Sequence, residues 1–600
     1  MPRDSIPPAS SFWFGATERP LFGWYHAPAG QTARATVVIC NPFGHEALVA
    51  HRGNRRLAQR LAAEGFAALR FDYDGTGDSA GSDDDPGRLE AWLDSVRRAI
   101  VEATTLSRSN RVILIGLRLG ALLAALQADR SVVAALVLIA PPRSGKAWLR
   151  EMRALQSLKD AGRRPEDIQP DDLGIAGFMV GEATRHDLSN LFFSKLKHQP
   201  AKHALVVARD DLPSGEPELV ACLRGLHVDA ELCKAPGYAD HMTEDPFKSQ
   251  VPTQMFDAII AWLDPLFPTD SYRDEPSRSN TVAPVSVRPS VTNMMTPTPA
   301  TRERVVDIGG LFGIVTEPAV PSAQVRTAVL MLNIGANNHL GSNRMYVRMA
   351  RAWAEQGFQV LRMDFSGMGD SPVASHGKEN DVYATRFLAE ARAGLDFAQT
   401  QGATRFVLVG LCSGAYVAYH TAIADPRVSG VVMINPLTFH WQEGDSLEIR
   451  MRKSFKSTTQ YRRALFRVDT WRRIAGGNVG VAAIGAELAR RAERRSLREL
   501  KSLLAKVTGG IAEATDVERG FRQLCARGAQ CLLVYSAEDG GIDVIEEHLG
   551  RDAGDMRRVS GFHMEIKHGP DHTFTPLWTQ DWLVSLITSH LLERHGSGSP

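Results

Sequence analysis

Cysteine is scarce in this chain: six residues in 600, namely Cys40, Cys222, Cys233, Cys412, Cys525 and Cys531, none of them in C-x-x-C spacing. Such a set suggests neither a disulfide framework nor a zinc site, and most of the six are expected to be small buried hydrophobes. No run of about 18 apolar residues occurs, so no membrane-spanning helix is expected. Met1-Pro-Arg-Asp-Ser-Ile-Pro-Pro lacks the apolar core of a signal peptide, which makes a soluble, cytoplasmic protein the expectation. Nor does charge of one sign accumulate: 69 Lys and Arg against 68 Asp and Glu leave +1, so no global field favours nucleic acid or an anionic membrane. With 44% hydrophobic and 23% charged residues the composition is that of a globular protein. Single cores stop growing near about 250–300 residues, which predicts two domains of about 270 residues or three smaller ones.

The chain contains itself twice. Glu64-Gly-Phe-Ala-Ala-Leu-Arg-Phe-Asp-Tyr-Asp-Gly-Thr-Gly-Asp-Ser79 aligns with Gln356-Gly-Phe-Gln-Val-Leu-Arg-Met-Asp-Phe-Ser-Gly-Met-Gly-Asp-Ser371 at an offset of 292, which also pairs Asn41 with Asn333. At an offset of 294, Gly116-Leu-Arg-Leu-Gly120 meets Gly410-Leu-Cys-Ser-Gly414. Nearly constant, ordered offsets indicate duplication of a whole domain. The expected layout is a first domain over 1–265, a polar Pro/Ser/Thr-rich linker over 266–304, a second domain over 305–595, and a short flexible tail.

Within each half, apolar runs of four to six residues (Ala35–Cys40, Arg111–Ile115 and Ala134–Ile139; Ala328–Leu332, Arg405–Val409 and Gly430–Ile434) alternate with helix-length amphipathic stretches. Continuous β-branched runs of this kind predict buried parallel strands with helices on both faces, an α/β class.

Gly410-Leu-Cys-Ser-Gly414 follows one such run and precedes the small-residue stretch Ala415-Tyr-Val-Ala-Tyr-His, the strand-turn-helix context of a nucleophile elbow with Cys412 at its centre. On these residues the chain resembles the α/β-hydrolase superfamily, and both halves look like tandem copies of it, each a mostly parallel sheet flanked by helices with a helical cap insertion. The resemblance implies a triad in the order nucleophile, acid, histidine: Cys412, then Asp539 in Tyr535-Ser-Ala-Glu-Asp539, then His572 in Gly569-Pro-Asp-His-Thr-Phe574. Glu538 and Asp543 compete with Asp539, and His563 and His568 with His572. It also implies an oxyanion hole from the backbone of Ser413 and of Ile334 and Gly335 in Asn333-Ile-Gly-Ala-Asn337. A helix N-terminus and an imidazolium both lower a thiol's pKa, and Cys412 is placed to have both.

The matching first-half positions are Arg118 at the elbow, Asp211 after a late strand and His241 near the domain's end. A guanidinium cannot attack a carbonyl, so this half is expected to be inactive, with Arg118 either pairing with Asp211 or holding an anion in the old pocket. The paired Asn54-Arg55 and Asn343-Arg344 are read as helix-start residues bracing the oxyanion loops. The gap between Ile434 and Cys531 predicts a cap over about 442–525, against about 143–200 in the first half. The second cap is basic, with Arg450, Arg452, Lys453, Lys456, Arg462 and Arg463 among its residues, which fits either a solvated face or a dock for an acyl carrier protein or coenzyme A. Ala140-Pro-Pro-Arg-Ser-Gly-Lys-Ala-Trp-Leu-Arg-Glu resembles exosortase-associated hydrolases of bacteria.

The resulting expectation is an acyl-transfer enzyme, a thioesterase or an acyltransferase or cyclase. It would form a thioester acyl-enzyme on Cys412 from a carrier- or coenzyme A-bound acyl thioester, without a cofactor or metal. Exchange between thioesters is nearly isoenergetic, which is the reason a cysteine suits such a donor. Ester or lactone hydrolysis is the rival within enzymes, and a non-catalytic scaffold is the rival outside them.

Overall fold

The computed structural model describes residues 9–30, 32–160, 163, 167–168, 174–212, 215–269, 292–320, 327–375, 377–442, 445 and 514–596. The basic cap stretch from Arg450 to Arg498 lies outside the described residues.

The first sheet comprises β1 (Ala9–Phe14), β2 (Leu21–His26), β3 (Thr36–Cys40), β4 (Ala67–Phe71), β5 (Val112–Leu117) and β6 (Val133–Ile139). The hairpin β7 (Gly174–Ile175) and β8 (Phe178–Met179) stands apart, and β9 (His203–Val207) and β10 (Asp229–Cys233) complete the sheet in the order β1-β2-β4-β3-β5-β6-β9-β10. The second sheet holds β11 (Met294–Thr298), β12 (Thr301–Ile308), β13 (Leu311–Pro318), β14 (Thr327–Met331), β15 (Gln359–Met363), β16 (Arg405–Leu411), β17 (Val428–Ile434), β18 (Gln530–Ser536) and β19 (Phe562–Lys567). Its order, β11-β12-β13-β15-β14-β16-β17-β18-β19, repeats the first with one extra edge strand. In both, the opening strands up to β2 and β13 pair antiparallel, including with β4 and β15, and every pairing from β4 and from β15 onward in these orders is parallel.

The central strands form because their β-branched residues are covered on both faces. Val37 and Val38, neighbours on β3, enter two separate cores on opposite sides of the sheet, as side chains alternating at a period of two must. Each such Val, Leu or Ile stabilises the fold by about 1.5–3 kcal/mol. The second half repeats this with Val329 and Leu330 on β14. β11 and β12 begin inside the 266–304 stretch read as linker, so the second sheet starts at Met294. Their polar alternation hid them: Thr301, Glu303 and Val306 of β12 are buried while Arg302 and Asp307 are not.

The halves pack about a pseudo-twofold relation. Leu21-Phe22-Gly23 and Leu311-Phe312-Gly313 are equivalent segments, and the Phe22 and Phe312 rings meet with centroids 6.4 Å apart. Arg70 Nη2 donates to Asp370 Oδ1 at 2.8 Å, and its counterpart Arg362 Nη1 donates to Asp78 Oδ1 at 2.6 Å. Arg55 donates to the carbonyl of Ser371, and Arg344 to the carbonyl of the equivalent Ser79. Reciprocal contacts of this kind are the mark of an isologous interface, here within one chain. Arg344 also donates to the carbonyls of Gly75, Gly77 and Gly81, so it clamps the other half rather than bracing its own oxyanion loop.

Candidate active site

The elbow is built by a strained turn. Cys412 has φ 57° and ψ −114°, a region that costs a non-glycine residue about 1–3 kcal/mol, and Arg118 adopts nearly the same angles at 56° and −125°. The turn is held by sheet bonds, Cys412 N–H to Ile434 O at 2.9 Å and Arg118 N–H to Ile139 O at 3.0 Å. The flanking glycines are required by close approach: a Cβ on Gly410 would stand 2.2 Å from the Gly414 backbone, and one on Gly414 2.7 Å from Asn333 O. The helix Ser413–Ala424 starts at once, placing its N-terminus beside the Cys412 thiol.

Two loops bring the remaining groups to this point. Past β18 the chain turns through Asp539 N–H to Ser536 O at 2.9 Å, leaving the Asp539 carboxylate buried. His572 Nδ1–H donates to Asp539 Oδ2 at 2.6 Å, while Asp539 Oδ1 accepts from Gly541 N–H at 2.8 Å. Burial alone would lower the imidazole pKa, but the facing charges of Asp539 and Cys412 outweigh it and raise His572 well above 6.5. Of the competitors, His568 lies 3.6 Å from Glu538 at the surface, and His563 faces Arg594 and His590.

A residue without an expected role fixes the histidine loop. Asn435 follows β17 in a left-handed conformation (φ 44°); its Nδ2 donates to His572 O at 2.8 Å and its Oδ1 accepts from Ser536 N–H at 2.8 Å. The first-half equivalent is Ala140, with φ 45° and the same strand-end bond, so the sidedness of this position was written in the repeat.

Ile334, Gly335, Cys412, Ser413 and His572 line one pocket of about 240 Å³. Gly335 N–H, expected to face an oxyanion, donates to Ser413 Oγ at 2.9 Å. The opposite wall comes from the first half, through His45, Leu48, Lys159, Pro246 and Phe247. Arg163, also in the first half, donates from Nε to Gly569 O at 3.1 Å, and Gln580 Nε2 donates to Gly177 O at 2.9 Å, which ties the loop bearing His572 to the first half's insertion.

The first-half residues do not assemble the same way. Arg118 is 1% exposed; its Nε donates to Glu46 Oε1 at 2.7 Å, its Nη1 to Ala140 O at 3.2 Å and its Nη2 to Glu151, while Trp148 Nε1 holds the other Glu46 oxygen at 2.8 Å. Arg118 therefore does not pair with Asp211, which is bound in a two-pronged bridge by Arg209 at 2.6 and 2.7 Å. His241 donates to Gln250 O at 3.1 Å and packs on Gly53, away from the elbow. Counting from strand ends explains the difference. Asp539 is the third residue after β18 and His572 the fifth after β19; the same counts after β9 and β10 give Asp210 and Tyr238. Asp210 accepts from the N–H groups of Gly237 and Ala239, and Tyr238 stands beside Arg118.

Comparison with known proteins agrees with this architecture. Residues 329–585 match the model of the alpha/beta hydrolase family, and residues 31–165 match that of the serine aminopeptidase S33 family. Among solved structures the chain is similar to Est1E from Butyrivibrio proteoclasticus with ferulic acid bound: 17% identity, 42% of this chain and 97% of that one, TM-score 0.32. A lid-free α/β serine hydrolase from Xanthomonas campestris shows 17% identity over 45% of this chain and 99% of its own, TM-score 0.29. A hypothetical protein from Pseudomonas aeruginosa shows 17% identity over 44% and 95%, TM-score 0.31. No protein of curated function matches the chain. Among the described residues no helix is long and apolar enough to cross a membrane. The two sheets, repeating one strand order with helices on both faces, and the two family models that match them give the conclusion: the chain carries the α/β-hydrolase fold, laid out as two tandem domains.

Proposed function

We propose that the second half is an acyl-transfer enzyme with Cys412 as nucleophile, His572 as its base and acid, and Asp539 as the group that orients and charges the imidazole. The observation that carries this reading is the 2.6 Å bond from His572 Nδ1 to buried Asp539, which leaves the ring's other nitrogen for the thiol at the strained elbow. The Cys412 proton passes to His572, and the thiolate adds to the acyl carbonyl. The N–H groups of Ser413 and Gly335, the latter released from Ser413 Oγ, stabilise the oxyanion. Collapse breaks the bond to the leaving group, which takes the proton from His572. Water, an alcohol or an amine then adds to the thioester, giving its proton to His572, and the acid, ester or amide leaves as Cys412 regains its proton.

The donor in this reading is an acyl thioester on coenzyme A or an acyl carrier, since one thioester exchanges for another with little change in free energy. Ester or lactone hydrolysis would use the same groups, and the first half serves as scaffold and pocket wall. The test is thiol alkylation at pH 6 combined with turnover on matched thioesters and oxygen esters. Cys412 should alkylate far faster than the other five cysteines, and Asp539→Asn should lower kcat by about 10⁴, as loss of the orienting carboxylate does in a comparable triad. Ordinary reactivity at Cys412 with no turnover would promote the scaffold reading.

A further inference from the structure

The Cys412 pocket is lined by two hydrogen-bond donors, one from each half, to which no described residue offers an acceptor. Asn343 is 7% exposed, lines the pocket, and its Nδ2 has no hydrogen-bond partner. It sits in the left-handed region, φ 54° and ψ 36°, with its carboxamide against the backbone of Gly177, so it has little freedom to turn toward solvent. The first half shows what an asparagine here would do if it merely braced a loop: Asn54 Nδ2 donates to Asn41 Oδ1 at 2.9 Å. In the second half Asn333 Oδ1 instead receives Phe365 N–H at 2.7 Å, and Asn343 makes no such bond. A buried donor left open costs about 1–3 kcal/mol, so its retention needs a reason.

Lys159, at the end of the helix Gly145–Asp160, is the second donor, and it faces the same pocket from the other half. Among the described residues no acid lies within ion-pair distance of its ammonium; Asp571, Glu244 and Asp245 act on it from further away, and burial pulls its pKa down. Two of those three carboxylates are already engaged, Asp571 by Thr575 N–H at 2.7 Å and Asp245 by Phe247 N–H at 3.0 Å.

We infer that Asn343 and Lys159 form a substrate-binding pair, and that the acyl group delivered to Cys412 carries a second oxygen acceptor, a carbonyl or a carboxylate, that these two donors hold. The assignment rests on reading this pocket as the acyl site, and it makes the site a product of both halves. A plain alkyl chain would leave both donors open and so bind less well than an oxygenated chain of equal length. This gives the proteins's first half a direct part in specificity, through a side chain supplied across the interface.

The test separates binding from chemistry. The full chain carrying Cys412→Ala is titrated with butyryl-, acetoacetyl- and succinyl-pantetheine, which match in carbon number and differ in the second acceptor. The same titrations follow with Lys159→Met or with Asn343→Gly, which keeps the left-handed backbone, added. The pair predicts that at least one oxygenated thioester binds about tenfold or more tightly than butyryl-pantetheine, and that either substitution removes that advantage without weakening butyryl binding. Preference for acetoacetyl assigns a carbonyl, and preference for succinyl assigns a carboxylate. Equal binding of all three, or an advantage that survives either substitution, overturns the inference. Acylation of the wild-type chain by butyryl-pantetheine is read separately, so a failure of covalent chemistry is distinguishable from a failure of this pair.

Discussion

Arg70 and Arg362 occupy the same place in the two sheets, and each is paired with the aspartate that stands eight residues beyond the other, Asp370 and Asp78. All four side chains are buried, and the two bridges lock the halves into one body.

Arg362→Met should therefore destabilise the chain by about 3–5 kcal/mol, because it leaves Asp78 and Glu303 buried with a guanidinium removed. Arg70→Met should cost a similar amount, and the double variant should split urea unfolding into two transitions. An unshifted midpoint in both single variants would contradict the reciprocal lock.

His339 adds a pH signature to the same interface. Its Nε2 bonds Asp78 Oδ2 at 2.6 Å and its Nδ1 bonds Asp364 Oδ2 at 2.8 Å. Burial opposes its charge, but the two carboxylates prevail and raise its pKa to about 10 from 6.5. A raised folded pKa contributes stability that is fully present below the unfolded value and is lost as pH rises through the folded one. The Tm difference between wild type and His339→Gln should accordingly be largest near pH 6 and shrink toward pH 10. A difference that does not change over that range would refute the doubly paired imidazolium.

Asn435→Ala should loosen the loop that carries His572. Two buried partners, His572 O and Ser536 N–H, lose their bonds, at a cost of about 1–3 kcal/mol. A shift of the ring by about 1 Å should lower kcat by about 10²-fold with KM little changed. Steady-state kinetics of the variant check this, and equal losses in a control such as Ser429→Ala would show the effect to be unspecific.

Arg118→Met should destabilise the first half by about 3–5 kcal/mol, leaving Glu46 buried beside Trp148 without its cation. Arg118→Cys should gain no acylating activity, since Tyr238 stands where a histidine would be needed. Acylation of the introduced cysteine would contradict the strand-end counting.

Much of this was legible in the sequence, for a physical reason. Strands such as Val112–Leu117 and Arg405–Leu411 are covered on both faces and so read as continuous apolar runs, and the elbow glycines are forced by backbone contact. β1 and β10 are hidden because an edge strand needs only half its residues apolar, and β12, inside the sheet, because its buried face carries Thr301 and Glu303. Residue type alone points to Asp211 and His241, whereas the count from the strand end gives Asp210 and Tyr238. The interface was illegible because each of its charges, read alone, looks like a solvated surface residue; only the fold brings Arg70 to Asp370 and Arg362 to Asp78. Asn343 was visible as half of a repeated pair, but its missing partner appears only in three dimensions.

The central claim is covalent catalysis at Cys412, and the most direct test is intact-protein mass spectrometry of wild type and Cys412→Ala after mixing with acyl-coenzyme A and acyl-carrier thioesters. The account predicts a mass increase equal to the acyl group in wild type alone, mapped to Cys412 and discharged by water or an added nucleophile. No adduct and no turnover with any thioester or simple ester, or an adduct that persists in Cys412→Ala, would contradict it.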